Sequence, residues 1–572
     1  MAERVEPSKR ARPLETQPVA ARRRDYVTLA LLALVALAVY ANTLANGFVY
    51  DDQLLLKSPL LHEPWNVAAF VANGFRPEFA GKVAIYRPLS DWSLVVNARV
   101  SEWLTGSSES AACFHAVNAV LHAAVTCLAW VWLMSLGLVR RTVTIAALLF
   151  AVLSIHTEAV ANVMGRSELE AALFGLAFLI LHRRHRVAPA AIALVLALAC
   201  KESAIAFVPL AIAADLLLRS DAKAPNSPNS PSTPSARANE RERSARGLRW
   251  RAYAVYALVA AAWLALRAYE LRDADSRPSV VQNPLCEAPL LERVLTASRV
   301  QLDYVRLELV PIELSSDYSA NQIPLVTSVI DARFLAFVCV LAASCAVAWR
   351  SRHRSRAIPL AVLGYAILFS TTSNYLVPIG TIMGERLAYA PSLFFCLALA
   401  AALVACECWI GARGVMVATG VLALAYGTRT FAQNRVWRDE ITLFAEQART
   451  APESAKAHAQ YANVLAELGR DREAVAEYER SLAIRAYNPD VYFHLGDALT
   501  RLREDPEKRI AAYRGAIALM PDHLNARAAL AFTLIRQQRW SEARAEVDEI
   551  ATRGADHWAL PDLRRKLESA PR

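Results

Sequence analysis

A series of apolar segments, separated by short charged loops, runs from about Tyr26 to Phe431 and limits what this chain can fold into more than any other feature. A hydrocarbon core takes roughly 20 residues of α-helix, and a stretch such as YVTLALLALVALAVYANTL, beginning at Tyr26, meets that requirement. Apolar runs give about eleven expected spans. They fall near 25 to 45, 113 to 138, 142 to 155, 168 to 182, 187 to 200, 203 to 218, 251 to 268, 332 to 349, 357 to 372, 387 to 408 and 414 to 430. With 55% hydrophobic and 20% charged residues in 572, a string of several soluble domains is excluded. Most of the nine cysteines, among them Cys113, Cys127, Cys200 and Cys396, sit inside apolar stretches as small hydrophobes, with no disulfide framework or zinc spacing.

The net charge of +10 is not spread like a nucleic-acid surface. It collects in alternate loops: Arg140-Arg141, HRRHR at 182 to 186, RERSARGLRWR at 241 to 251, WRSRHRSR at 349 to 356, and Arg413. The positive-inside rule places these loops and the basic leader 1–25 in the cytoplasm. The first apolar segment has no cleavage signature behind it and is expected to be an uncleaved helix. An odd count then puts the C-terminal region on the outer face: periplasm at a bacterial inner membrane, or lumen at an endoplasmic reticulum membrane. The expected organisation is a membrane domain 26–431 with outer loops 46–112 and 269–331 and a disordered cytoplasmic loop 219–250, richest in Pro, Ser and Asn from Ser220 to Ser235.

Beyond residue 431 the chain turns charged and repeats itself. Tyr461-Ala462 and Leu495-Gly496 lie 34 residues apart, Leu530-Ala531 follows 35 later, and Ala474 and Ala543 each come 13 after the first residue of their pair. Tyr478, Tyr513, Pro489 and Pro521 fit the same tetratricopeptide spacing. Residues 432–572 are therefore expected to form a capping helix and about three repeats. The chain as a whole is expected to be all-α: a polytopic helix bundle with a C-terminal solenoid.

Polar residues gather at the outer ends of the spans: YDD at 50 to 52, YRP at 86 to 88, HTE at 156 to 158, GRSE at 165 to 168, KES at 201 to 203, DYS at 317 to 319 and GER at 384 to 386. Ionisable groups next to a membrane are costly, so their convergence marks a site. Asp51 and Asp52 are read as a general base with a neighbouring carboxylate, the alternative being an interfacial turn. Arg386, Lys201, Arg87 and Arg166 are read as clamps for a phosphate arriving from the lipid, the alternative for each being a snorkelling anchor. His156, Glu158, Glu168, Glu202, Glu385 and Asp317 are read as acceptor-side or supporting groups. Two amphipathic stretches, Glu63 to Phe75 and one from Leu291 to Leu309, are expected to lie flat, either walling a lateral opening to lipid or sealing the bundle.

The stretches FVYDDQLLL, YRPLSDWSLVVN, FAVLSIHTEAVANVMGRSELEAALF, ACKESAIAFVPL, QNPLCEAPLLERVLTASRVQLDYVRLELVPIELSSDYSANQIPL and MGERLAYAPSLFF, followed by the repeats, resemble the transmembrane and tetratricopeptide-repeat-containing O-mannosyltransferases, a branch of the GT-C glycosyltransferases. The resemblance implies a GT-C-type bundle, a polyprenyl-phosphate mannose donor, a Ser or Thr hydroxyl acceptor on a protein, and inverting transfer on the outer or luminal face. It carries the acidic motif onto Asp51 and Asp52 and the donor phosphate onto Arg386 and Lys201, with Arg87 and Arg166 behind. Fewer repeats than in the better-known members put a long acceptor groove in doubt, and an Ala- and Arg-rich style fits a bacterium with a bacterial polyprenol. No cofactor motif is present: there is no G-x-G-x-x-G or P-loop pattern, and while a divalent ion is compatible with the chemistry, no residue pattern asks for one. The repeats are expected to dock protein acceptors, and no nucleic-acid partner is expected. Rival readings are a non-catalytic scaffold anchored in the membrane, a transporter, and a GT-C enzyme with another lipid-linked sugar or a glycan acceptor.

Overall fold

The structure is a computed structural model that describes residues 19–63, 65–66, 85–219, 235–272, 279–319, 321–486 and 488–569. The described residues are helical or irregular, with no strand. Each expected apolar segment is a helix or contains one: Val19–Val39, Ala111–Ser135, Arg140–Val152, Arg166–Arg183, Val187–Cys200, Phe207–Arg219, Ser235–Glu270, Ala332–Ser351, Ala357–Phe369, Ser392–Ala405 and Glu407–Asn434. Pro189, Pro209 and Pro359 sit in the first turns of their helices, where a missing N–H breaks no bond.

Five of these are long and apolar enough to cross a membrane: Arg23–Ala45, Ala111–Ser135, Arg249–Glu270, Ala332–Ser351 and Glu407–Trp437. A bent pair, Arg140–Val152 with Ser154–Val160 at 47°, adds one more if taken as a single span. This is fewer than the about eleven expected from apolar runs alone, and length explains much of the difference. At 14 residues, Val187–Cys200 reaches only about 21 Å of a roughly 30 Å core. The Arg166–Arg183 helix instead carries too much charge, with Arg166, Glu168, Glu170 and Arg183 on it.

Contacts sort the helix ends into two groups. At one end Arg140 pairs with Asp25, Arg141 reaches Glu407 at 2.7 Å, and the buried Asp215 collects His182 at 3.3 Å, Arg183 at 3.5 Å and Arg249 at 3.4 Å. At the other end Asn46 donates to the Asn434 carbonyl at 3.0 Å, His115 lies 3.3 Å from the Gly47 carbonyl, and Lys201 pairs with Glu168. Successive helices alternate between these ends, as an antiparallel bundle requires. One apolar core runs through them, and only Ala332–Ser351 stands outside with no buried residue.

The bend at Leu153 leaves backbone groups of the Arg140–Val152 helix without intrahelical partners. Thr430 Oγ1 of the Glu407–Asn434 helix donates to the Val152 carbonyl at 2.8 Å and His122 Nε2 lies 3.1 Å from the Ala151 carbonyl, so neighbouring helices satisfy carbonyls at the break, and Ser154 Oγ in turn donates to the Tyr426 carbonyl at 3.1 Å. The amphipathic stretch from Leu291 is the helix Leu290–Leu309, which buries Leu295, Val300, Tyr304 and Leu307 while Leu290 and Leu291 stay exposed. The matching expectation for Glu63 to Phe75 falls mostly outside the described residues. So do the leader through residue 18 and the loop 220–234. From Ser235 the chain is already helical, which shortens the loop expected over 219–250. The Ala, Arg, Glu and Leu of that part are strong helix formers.

The C-terminal region begins with a helix at Glu440–Thr450 and continues as three antiparallel pairs: Ala455–Glu467 with Asp471–Ile484, Pro489–Arg501 with Pro506–Leu519, and Leu524–Arg536 with Trp540–Arg553. A last helix, Leu560–Glu568, follows. Tyr478 donates to Asn463 at 2.8 Å and Tyr513 to Asp497 at 2.9 Å, the same bond one repeat apart. Gly496 is small because a Cβ there would lie 2.4 Å from the Tyr513 ring.

The solenoid is not loosely tethered. Gly47 N donates to the Arg438 carbonyl at 2.8 Å, Asn321 N to the Glu453 carbonyl at 3.0 Å, and Thr450 Oγ1 to Ser315 Oγ at 2.9 Å. Val49, Ala161, Trp437 and Leu443 form a small core across the junction.

Candidate active site

The acidic motif sits in a turn that follows the first apolar helix. Asp52 opens a short helix, Asp52–Leu56, and is fully buried. Its Oδ1 accepts from Met164 N at 2.9 Å, and its Oδ2 from Val49 N at 3.3 Å and Val163 N at 3.4 Å. Burial pushes the Asp52 carboxyl up to about 7, against the lowering effect of these amides. Asp51 is half-buried and its carboxylate makes no hydrogen bond among the described residues. The two aspartates therefore differ in kind: Asp52 pins two turns together, and the Asp51 carboxylate is half-buried and takes no part in holding them.

Glu158 lies on the short Thr157–Val160 helix just beyond the bend, with 3% of its side chain exposed against 32% for Arg386, its ion-pair partner. Arg386 N also donates to Glu158 Oε2 at 2.9 Å, so one carboxylate grips both the backbone and the guanidinium. Arg386 is held firmly protonated, first by Glu158 and, against burial, by Asp51, Tyr50 and Glu168. Gly165 makes this placement possible: a Cβ there would come 2.5 Å from the Ala159 carbonyl oxygen and 2.8 Å from that of Glu158.

Arg87, at the start of the Pro88–Thr105 helix, contacts Glu202 at 3.4 Å and Ser167 Oγ at 3.4 Å with 23% of its side chain exposed. Behind it Lys201 and Glu168 form a buried pair. Among the cations supplied by the bundle, Arg386 and Arg87 are thus partly exposed, while Lys201 is buried and committed to Glu168. Arg166 is placed differently. Its guanidinium donates to Asn118 at 2.9 Å, Asn97 at 2.6 Å, the Phe114 carbonyl at 3.2 Å and the Ser93 carbonyl at 3.3 Å, and only 1% of the residue is exposed. Such a cation organises helix ends and has no free face for a ligand.

Glu385 and Asp317 are buried supports. Glu385 accepts from Ser315 N at 2.6 Å and Tyr318 Oη at 2.7 Å; burial, with Glu158 nearby, raises it well above the ordinary carboxylate range. His156 packs against Phe150 and Tyr389 with its Nε2 2.7 Å from Ser392 Oγ, turned into the bundle and away from Glu158's partner. Among the described residues no group of three or more His, Cys, Asp or Glu is arranged to hold a metal ion.

One charged residue of the cluster carries no membrane signal. Lys456, on the first turn of Ala455–Glu467, donates to Tyr50 Oη at 3.0 Å and lies 3.4 Å from Asp317 Oδ1. Nothing in its own segment marks it, since a lysine on a solenoid helix ordinarily faces water.

The segment 277–345, which supplies Tyr304, Ser315, Asp317 and Tyr318, matches the family model described as "Protein O-mannosyl-transferase TMTC, DUF1736". Residues 462–502 match a TPR repeat model and 502–567 a tetratricopeptide repeat model. Human protein O-mannosyl-transferase TMTC1 is 28% identical over 82% of this chain and 56% of its own length. Mouse TMTC3 is 25% identical over 93% and 65%, and the Caenorhabditis elegans protein O-mannosyl-transferase F38B6.6 is 24% identical over 79% and 62%. The chain thus spans between 56% and 65% of the length of these relatives. Over most of its own length, membrane helices and repeats alike, the chain is similar to the TMTC protein O-mannosyl-transferases.

Proposed function

We propose that this chain is a membrane glycosyltransferase that moves mannose from a polyprenyl-phosphate donor to Ser or Thr hydroxyls of proteins on the outer face. The observation that carries the reading is the half-buried Asp51 carboxylate at the same end of the bundle as the partly exposed Arg386 and Arg87. The acceptor oxygen attacks the anomeric carbon as its bond to the phosphate oxygen breaks, Asp51 takes the hydroxyl proton, and the two guanidiniums stabilise the departing phosphate. Asp52 and Glu158 hold these groups in place from behind, and Lys201 with Glu168 backs Arg87.

The alternation of helix ends supports a bundle in which the shorter apolar helices also traverse the membrane, about eleven in all, and the basic end faces the cytoplasm. The site and solenoid then share the outer face, periplasmic in a bacterium. The similarity to protein O-mannosyl-transferases favours mannose and a protein acceptor over other lipid-linked sugars and glycans.

The test is to supply membranes containing the protein with labelled polyprenyl-phosphate mannose. Label on Ser or Thr of a membrane or exported protein, lost in Asp51→Asn, is the expected result. Label passing only to lipid or glycan overturns the protein acceptor, and no enzyme-dependent label with an intact fold returns the scaffold reading.

A further inference from the structure

The groups around Asp51 include two from the C-terminal solenoid. Tyr50, the residue before it, has φ +57°, a left-handed conformation uncommon for an aromatic residue and sustained only where surroundings impose it. Its Oη accepts from Lys456, whose ammonium lies 5.6 Å from the Tyr50 ring centroid, and the Phe444 ring meets Tyr50 edge-on at 5.9 Å. Both Lys456 and Phe444 belong to the C-terminal region.

We infer that Lys456 is a positioning residue of the transfer site: its ammonium holds Tyr50 in the left-handed conformation and so fixes the direction of the adjoining Asp51 carboxylate. The inference rests on the reading of the site proposed above. The solenoid is then part of the active site in cis, in addition to any role in docking acceptors.

The lysine is itself well fixed. Ser454 caps its helix by accepting from Ala457 N at 3.1 Å and donates to Asp317 Oδ2 at 2.5 Å, so the helix start is fastened to the carboxylate that Lys456 also meets. Burial alone would lower the Lys456 pKa, but Tyr50, Asp317 and Asp51 raise it, so the side chain stays a cation. With 20% of its side chain exposed it differs from Lys508 on a later repeat helix, which is 62% exposed and only loosely near Glu504 at 3.8 Å. A simple interdomain ion pair would need Asp317 alone; the bond to Tyr50 is what links the lysine to the acidic motif.

The experiment compares the full-length protein with Lys456→Met, Lys456→Arg, Tyr50→Phe and the control Lys508→Ala, all in one detergent preparation. Amide hydrogen exchange over residues 47 to 57 is the activity-independent readout, and kcat and donor KM are the second. Lys456→Met is expected to speed exchange of that segment by about tenfold and to lower kcat by about tenfold with donor KM unchanged. Lys456→Arg should recover most of both. Tyr50→Phe should show a smaller change in the same direction, and Lys508→Ala none. Unchanged exchange and kcat in both Lys456→Met and Tyr50→Phe overturn the inference, as does exchange rising equally through the repeats, which reports loss of domain docking. If the wild type transfers no mannose while exchange responds as described, the positioning of Asp51 stands and only the glycosyl-transfer reading falls.

Discussion

Asp51 and Asp52 share a turn, yet their oxygens meet opposite surroundings, and substitutions should separate them. Asp51→Asn keeps the fold and is expected to slow transfer by about 10²-fold or more, since a general base of this kind contributes on that scale. Asp52→Ala leaves two backbone N–H groups, those of Val49 and Val163, without their acceptor while Met164 N keeps Asn162 Oδ1, at about 1–3 kcal/mol for each one left unsatisfied. Thermal unfolding should therefore report a clear loss for Asp52→Ala and almost none for Asp51→Asn. Asp52 also predicts a pH dependence. Its carboxyl is raised from 3.8 to about 7 by burial, so between those values the folded chain binds a proton the unfolded chain has released. Stability from this group is full at the acid side and falls as pH rises to about 7. The thermal midpoint of the wild type should drop across that interval relative to Asp52→Asn, which has no proton to lose.

Two close approaches between elements carry the geometry. The Thr157–Val160 helix bearing Glu158 lies against the turn at Gly165, with no room for a methyl group. Gly165→Ala is expected to shift that helix and loosen the grip on Arg386, raising donor KM more than it lowers kcat, because phosphate binding is lost before the base is disturbed. Tyr513 lies against Gly496 in the same manner, so Gly496→Val overpacks the two helices of the middle repeat by about 1–3 kcal/mol. Limited proteolysis should then open the chain near the Pro489–Arg501 helix while the membrane helices stay protected.

At the scale of the molecule, the junction between bundle and solenoid decides what a truncation does. A docking module alone predicts that deleting 452–572 harms protein acceptors more than short peptides. The contacts of Glu453, Ser454 and Lys456 with the turns that bear Tyr50 and Asp317 predict instead that both kinds of acceptor are lost together. Rates for a peptide and a protein acceptor in the same truncated preparation distinguish the two. Topology is tested separately: reporters placed after Arg572 and within 220 to 235 should read opposite sides of the membrane, and two cytoplasmic readings would refute the outer-face site.

Hydrophobic runs of helical length, the basic loops between them and the 34-residue period are local patterns, so the helices, the alternation of their ends and the repeats were legible in the sequence. The convergence of YDD, HTE, KES and GER at one end followed from that alternation. Which of those residues face outward did not follow. Asp51 and Asp52 are indistinguishable by type and position, and only the turn at 163 and 164, over a hundred residues away, makes one of them a buried support. Arg166 reads as a ligand-binding cation until Asn97 and Asn118 enclose it. Lys456 is invisible in its own segment because its partners, Tyr50 and Asp317, come from two loops that meet only when the solenoid folds back onto the bundle. Periodicity fixes the elements because each is set by its own neighbours along the chain; the roles of single charges are set by contacts across it, and those exist only in the folded molecule.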